Sequence, residues 1–492
     1  MRSTLSKIDE DLLEESQHQS FRPLVYALTF LHAVIQERRK YGKIGWNVMY
    51  DFNESDFSIS RKLMALYLTK AWEDGDESMP WGSLKYLVGD AMYGGRVSDD
   101  MDRRVLSTYL NEYFGDFLFD TNNKFFFSRD GFDYSLPVSR INTVEEIRQY
   151  VETFPLTNSP AVFGLHPNAE IGYFMSFTND LWHTLISLQP RTGDTGSGLS
   201  REEQIYNTAT DLLSKIPIIK SDIGSFDVGA VRNELMAKNG GEQPTPCQVV
   251  LLQEIELWNA LCKRMSSSLI LLKKALDGEI GMSERLDEIS DALFNGYLPL
   301  FWAKLAPATE KRLGSWMVHF IKRHRQYEKW IKEGEPQVFW LSGLHIPESY
   351  LTALVQTTCR RKGWPLDKST MCTFVTKYKN VDDISKEKGN TLMDGSYVSG
   401  LYLEGAGWNS DLSQLERQKP KELVVELPFL QVVPIESSRL KSQGAFRTPV
   451  YTTSQRRNAA GVGLVFEADL STNIHASFWA LQGVAIVMNK SD

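Results

Sequence analysis

The stretch PCQVVLLQEIELWNALCKRMSSSLILLKKALDG, Pro246 to Gly278, decides how the middle of this chain is read. Leu251, Ile255, Trp258, Cys262, Met265, Leu269, Leu272 and Leu276 recur every three or four residues. That repeat lines side chains along one face of an α-helix. It predicts a single amphipathic helix of about seven turns, closed by Gly278, since glycine takes the left-handed conformation at a helix end without steric cost.

Upstream, the first 120 residues also read as helices. FRPLVYALTFLHAVIQERRKYG places Leu24, Leu28, Leu31 and Ile35 at spacings of 4, 3 and 4. After the turn-rich GKIGWNVMYDFNESDF comes SISRKLMALYLTKAWED, with Leu63, Leu66 and Lys70 stepping round a helix. The next helix opens at Pro80 and stops at Gly94 and Gly95, which suits proline in a first turn and glycine past a last one. SDDMDRRVLSTYLNEYF restarts with Ser98 as cap, and Asp99, Asp100 and Asp102 complement the helix dipole. Residues 120 to 165 are mixed, with one short helix, VEEIRQYVETF. Helices resume after Gly164.

Downstream of about residue 365 the period falls from 3.6 to 2. STMCTFVTKYK, SYVSGLYLEGAGW, ELVVELPFLQVVPI, TPVYTTS, GVGLVFEADL and FWALQGVAIVM are short, β-branched and aromatic, with turn residues between them. Helices followed by strands predict an α+β fold with a terminal antiparallel unit.

Composition sets limits on function. The chain has 492 residues, 42% hydrophobic and 24% charged, with a net charge of -8. That balance builds a sizeable core and argues against a broad nucleic-acid or anionic-membrane surface. Cys247, Cys262, Cys359 and Cys372 form no CxxC pair, which fits reduced thiols in a cytosolic compartment. The N-terminal residues are polar and acidic, and no apolar run approaches membrane length.

Motifs for chemistry are weak. The loop QPRTGDTGSGLSREEQ carries Gly193, Gly196 and Gly198 before a helix start, as a phosphate-binding loop does. It has Leu199 where a P-loop has lysine, and it follows a helix rather than a strand. Ser200 and Glu203 read as a capping box, so the stretch is expected to be a connection. His166 and Glu170 stand four apart, but two ligands do not make a metal site. His319 and His324, five apart in HFIKRHRQ, read as part of a solvated cationic stripe. The three aspartates lack the loop glycine and the terminal glutamate of a calcium site. Arg96, just after two glycines, can reach a carbonyl, an acid or a phosphate.

Several stretches together resemble the C-terminal end of dynein heavy chains: GWNVMYDFNESDF (45–57), PWGSLKYLVGDAMYGGRVSDDMDRR (80–104), FGLHPNAEI (163–171), LQPR (188–191), LGSWMVHFIKR (313–323), QVFWLSGLHIPESYLTALVQTTCRRKGWPLDK (337–368) and GLYLEGAGWN (400–409). They stand in the family's order, and their wording is closer to axonemal than to cytoplasmic dyneins. The resemblance implies a helical AAA+ lid over 1–158, the helical half of a dynein C-terminal domain over 165–363, and a β-rich, barrel-like half over 364–492. It implies a contribution to ATP-driven, minus-end-directed microtubule movement by closing and coupling the AAA+ ring. No Walker motif is present, so ATP and Mg are expected only in the rest of a heavy chain, and no catalytic, cofactor or metal residue is assigned. The implied partners are the remaining ring, the intermediate, light intermediate and light chains, and microtubules, in the axoneme of a cilium or flagellum, with no nucleic acid and no membrane. Arg96 and the aromatics Trp46 and Trp408, expected to be exposed, are the candidate inter-module contacts. Two other readings stay open: a stand-alone scaffold beginning at Met1, and an unrelated enzyme using His166, Glu170 or the 193–198 loop.

Overall fold

The computed structural model describes residues 1–75, 79–119, 132, 134–135, 143–188, 200–218, 224–386, 394–440, 444–458 and 461–490. The 193–198 loop lies outside the described residues.

The described residues up to 169 form a helical unit with its own core. Helix α1 (Phe21–Glu37) is buried on almost every side, including Leu24, Leu28, Leu31 and Ile35. Helix α2 (Glu54–Glu73) starts at a reciprocal capping box between Asn53 and Asp56, which satisfies two otherwise unpaired backbone donors. The helix after Pro80 is α-helical only over Trp81–Lys85, then widens into a π-helix over Tyr86–Tyr93 and tightens into a 3-10 turn at Gly94–Arg96. Gly89 sits inside the widened turn, and a Cβ there would lie 2.0 Å from Leu110 Cδ1. The glycine lets this helix press against α3 (Asp100–Tyr113). The cap of α3 is Asp99 rather than Ser98, its carboxylate accepting the Met101 and Asp102 N–H groups.

Helix α4 (Asn168–Ser187) leaves this unit, and α5 (Pro246–Leu276) is the long helix expected from its sequence repeat. Thr245 and Gln248 form its capping box, Gly278 follows with φ +79°, and Leu251 to Leu272 of the stripe are buried. Helices α6 (Leu313–Glu333) and α7 (Pro347–Lys362) pack with it in one apolar core that continues into the sheets.

Among the described residues there are thirteen strands: β1 (Val338–Trp340), which precedes α7, then β2 (Ser369–Val375), β3 (Ser396–Ser399), β4 (Tyr402–Glu404), β5 (Gly407–Asn409), β6 (Gln414–Glu416), β7 (Val424–Glu426), β8 (Leu430–Glu436), β9 (Ala445–Thr453), β10 (Arg457–Asn458), β11 (Gly461–Val462), β12 (Leu464–Ser471) and β13 (Ala485–Asn489). One sheet has the order β1-β3-β8-β2 and a second β12-β9-β13-β4-β7, while β5-β6 and β10-β11 are two-stranded ribbons.

Three features correct the sequence reading. Among the described residues the sheets are open, not a closed barrel. Each large sheet contains a parallel pair, β1 with β3 and β13 with β9, made possible by the long excursions between them. The stretch FWAL belongs to a short helix, α8 (Ala476–Leu481), because His475 accepts the Ser477 N–H at its start and Gly483 turns left-handed after it. Among the described residues no helix is long and apolar enough to cross a membrane.

Candidate coupling interface

The helical unit and the β-rich region meet across buried polar contacts. Arg38 ends α1 in a 3-10 turn, Arg38–Tyr41, and its side chain is fully buried. Its Nε donates to Gly45 O at 2.7 Å, Nη1 to Phe163 O at 2.6 Å and Tyr109 Oη at 2.7 Å, and Nη2 to Leu481 O at 2.8 Å and Ile44 O at 3.3 Å. No carboxylate is among these partners. A buried guanidinium held by carbonyls is stable only while its donors stay matched, so the Leu481 carbonyl at the end of α8 belongs to the arrangement.

Beside it lies a second cluster. Asp102, in the first turn of α3, accepts the Asn47 N–H at 2.8 Å, the Val48 N–H at 3.0 Å and the Tyr50 hydroxyl at 2.9 Å. Burial pushes the Asp102 carboxyl up to about 6, although those hydrogen bonds pull it down. With its backbone fixed, Asn47 sends Nδ2 to Asp99 at 3.1 Å and to the Tyr451 hydroxyl of β9 at 2.7 Å, and its Oδ1 accepts Arg456 Nη1 at 3.1 Å. Arg456 also donates to Gly483 O at 2.7 Å and pairs with Glu404 at 3.5 Å. Lys43 reaches the other Glu404 oxygen at 3.2 Å.

The backbones come equally close. A Cβ on Gly483 would stand 2.5 Å from Ile44 O across the seam, and within the β-rich region one on Gly405 would stand 2.7 Å from Gln482 O. Both glycines have positive φ, +65° and +77°, so no other L-residue fits either place without strain. Flanking contacts extend the seam: Arg104 to Glu467 at 3.1 Å, Asn168 Nδ2 to Lys419 O at 2.8 Å, and Gln482 Nε2 to Gly164 O at 2.8 Å.

Beyond the seam, α4 stands largely clear of the rest of the protein: every residue from Phe174 to Leu185 is exposed, polar and apolar alike. At 100° per residue, Ile171, Phe174, Met175, Phe177, Leu181, Trp182 and Leu185 fall within an arc of about 160°. All are exposed, Phe174 by 56% and Trp182 by 60%. A residue outside that arc, His183, meets the Tyr297 hydroxyl at 2.9 Å. With each large side chain half exposed, the uncovered apolar area is about 600 Å², larger than a scattering of surface residues.

Of the expected contact residues, the two tryptophans are buried. Trp46 is 1% exposed and Trp408 9%, so neither ring is the surface aromatic expected of it. Trp46 donates to Ile35 O at 3.1 Å and packs on Tyr50 and Phe52, and Trp408 belongs to the large core. Rings of this size bury a large apolar area and are worth more inside. Arg96 reaches Asp56 at 2.8 Å, tying the end of the π-helical segment to the capping box of α2. His166 Nδ1 accepts the Asn168 N–H at 3.1 Å at the start of α4, four residues before Glu170. The solvated stripe expected around His319 and His324 is largely packed: His319 meets the Trp340 ring edge-on, and His324 stacks on Phe226. Among the described residues no group of three His, Cys, Asp or Glu could hold a metal ion. The sequence reading passed over Arg38, Asn47 and Arg456. The nearest signal was GWN inside a quoted stretch, where an asparagine follows a buried tryptophan.

This seam and the outward apolar helix describe a helical lid joined to a C-terminal region. The family model of the dynein heavy chain AAA lid domain matches residues 21–169, and that of the C-terminal domain of dynein heavy chains matches 175–488. The sequence is 55% identical over 489 residues to the dynein-1-alpha heavy chain of the flagellar inner arm I1 complex of Chlamydomonas reinhardtii, covering 99% of this chain and 10% of that one. It is 53% identical over 490 residues to dynein axonemal heavy chain 10 of Homo sapiens, covering 99% and 11%. Identity to dynein axonemal heavy chain 5 of Mus musculus is 34% over 488 residues, covering 99% and 10%. The chain therefore belongs to the dynein heavy chain family, and it spans about a tenth of the length of these relatives.

Proposed function

We propose that this chain acts as the closing and coupling segment of an axonemal dynein motor. In this reading it is the lid of the sixth AAA+ module joined to the C-terminal domain, within a heavy chain that moves along microtubules on ATP. The observation that carries the proposal is the uncovered apolar arc of α4. Covering about 600 Å² at about 25 cal/mol per Å² is worth on the order of 15 kcal/mol before ordering costs. The occupant we assign is the remainder of the heavy chain's ring, because the matched relatives are about ten times longer than this chain. The polar seam then makes lid and C-terminal region one rigid lever, and a rigid lever passes a movement in one module to the next. Arg96 keeps its place in the proposal as a half-exposed cation on the lid, 40% accessible in its side chain and anchored on Asp56. ATP and Mg belong to the other modules. Intermediate, light intermediate and light chains join at the level of the complex, in the cilium or flagellum.

The test replaces Phe174 and Trp182 by glutamate in a full-length heavy chain and measures microtubule gliding and microtubule-stimulated ATPase. Gliding is expected to fall severalfold. In the isolated 492-residue protein the same changes should move stability by less than about 1 kcal/mol, since both rings are exposed there. Normal gliding by the double variant overturns the proposal.

A further inference from the structure

We infer that the recess between α6, β1 and the β4–β7 edge binds a compact anion carrying several phosphate groups. Its volume is about 630 Å³, within the usual range for small-molecule sites. Among the described residues Lys311, Lys322, Lys379, Lys490 and His319 line it, with Glu426 the one carboxylate. The four lysines come from four separate segments: before α6, on α6, after β2 and after β13. Cations converging from separate segments suit a compact ligand touched from several sides. A recess lined mainly by positive charge also focuses the potential and draws in a counter-charge.

The recess selects against a flat base. Trp340 forms its wall but is already engaged, with Lys322 Nζ 4.0 Å from the ring centre and His319 edge-on at 5.0 Å. Recognition therefore rests on charge-assisted hydrogen bonds from ammonium groups, which phosphate oxygens accept well. Burial lowers the Lys322 pKa, with the Glu426 charge opposing, and a bound polyanion would restore its protonation. Among the described residues Lys379 and Lys490 make no ion pair, so both ammonium groups are available to a ligand.

The test is isothermal titration of the 492-residue protein with inositol hexakisphosphate, tripolyphosphate and ADP at about 150 mM salt. One site per molecule is expected, with inositol hexakisphosphate tightest. The double variant Lys379→Glu, Lys490→Glu should weaken it at least about tenfold. A control reversal on the exposed α2 lysines, Lys62→Glu and Lys70→Glu, should change it less than about twofold. If the glutamate pair does not fold, Lys379→Gln with Lys490→Gln should still weaken binding several times more than the control. Equal affinity in recess and control variants overturns the site. ADP binding tighter than tripolyphosphate, or a short polyglutamate peptide binding as well as inositol hexakisphosphate, overturns the ligand class.

Discussion

Replacing Arg38 by methionine tests whether the buried guanidinium holds the two parts together. Methionine keeps most of the apolar stem and removes every donor. Two strong acceptors then lose their partner, Gly45 O and Leu481 O, with Ile44 O a weaker third. Phe163 O is spared, because the Tyr109 hydroxyl also donates to it at 2.6 Å. An unsatisfied buried acceptor costs about 1–3 kcal/mol, partly offset because the guanidinium's own desolvation disappears. The expected loss is about 3 kcal/mol. Arg39, the next residue, is the internal control. Its ion pair with Asp51 is open to solvent, the carboxylate side chain being 99% accessible. Arg39 also donates to the part-buried carbonyls Gln36 O at 3.1 Å and Tyr50 O at 3.2 Å, which water can still reach, so Arg39→Met should cost about 1 kcal/mol. Urea unfolding followed by tryptophan fluorescence and far-UV circular dichroism measures both, and the two signals show whether one transition remains. Losses for the two variants within about 1 kcal/mol of each other would refute the reasoning.

Three further outcomes follow from the same contacts. Asp102 has its pKa raised from 3.8 to about 6, so the folded state binds its proton more tightly than the unfolded state. Its contribution is therefore most favourable below the unfolded value and is lost as pH rises from about 4 to about 6, by on the order of 3 kcal/mol. Stability of the wild type relative to Asp102→Asn should fall by that amount across the window, and a flat difference removes the assignment. Gly483→Ala places a Cβ against Ile44 O at positive φ and should cost at least about 2 kcal/mol. Hydrogen exchange should then quicken at residues 42–50, and unchanged exchange there would count against the close approach. Cys247 and Cys262 are buried with thiols pushed up to about 12, while Cys372 is half-buried. In the native state iodoacetamide should modify Cys372 first and leave the other two until unfolding; early labelling of Cys247 or Cys262 would contradict their placement.

Much of the fold was legible because it repeats. The stripe from Leu251 to Leu276 announces α5, and the change of period near residue 365 announces most of the strands. The seam has no such period. Arg38 meets Leu481, and Asn47 meets Arg456, across 443 and 409 residues, and nothing in a local window marks those pairs. Helix α4 was not legible for the opposite reason. Its arc from Ile171 to Leu185 has the pattern of a core-facing helix, and only the fold shows that it is left uncovered. Trp46 and Trp408 were misplaced because aromatic content alone does not separate core from surface.

The order of strands in the second sheet sets a timetable for biogenesis. Strand β13 is the third of five in that sheet, flanked by β9 and β4, yet it is nearly the last part of this sequence to leave the ribosome. At about 5–20 residues per second, the 443 residues between Arg38 and Leu481 take roughly 20–90 s to synthesise. Throughout that interval the nascent lid carries an arginine without its last acceptor, and the sheet has a gap at its centre. A chaperone that shields the lid until β13 is made would act at the point where this topology is most vulnerable.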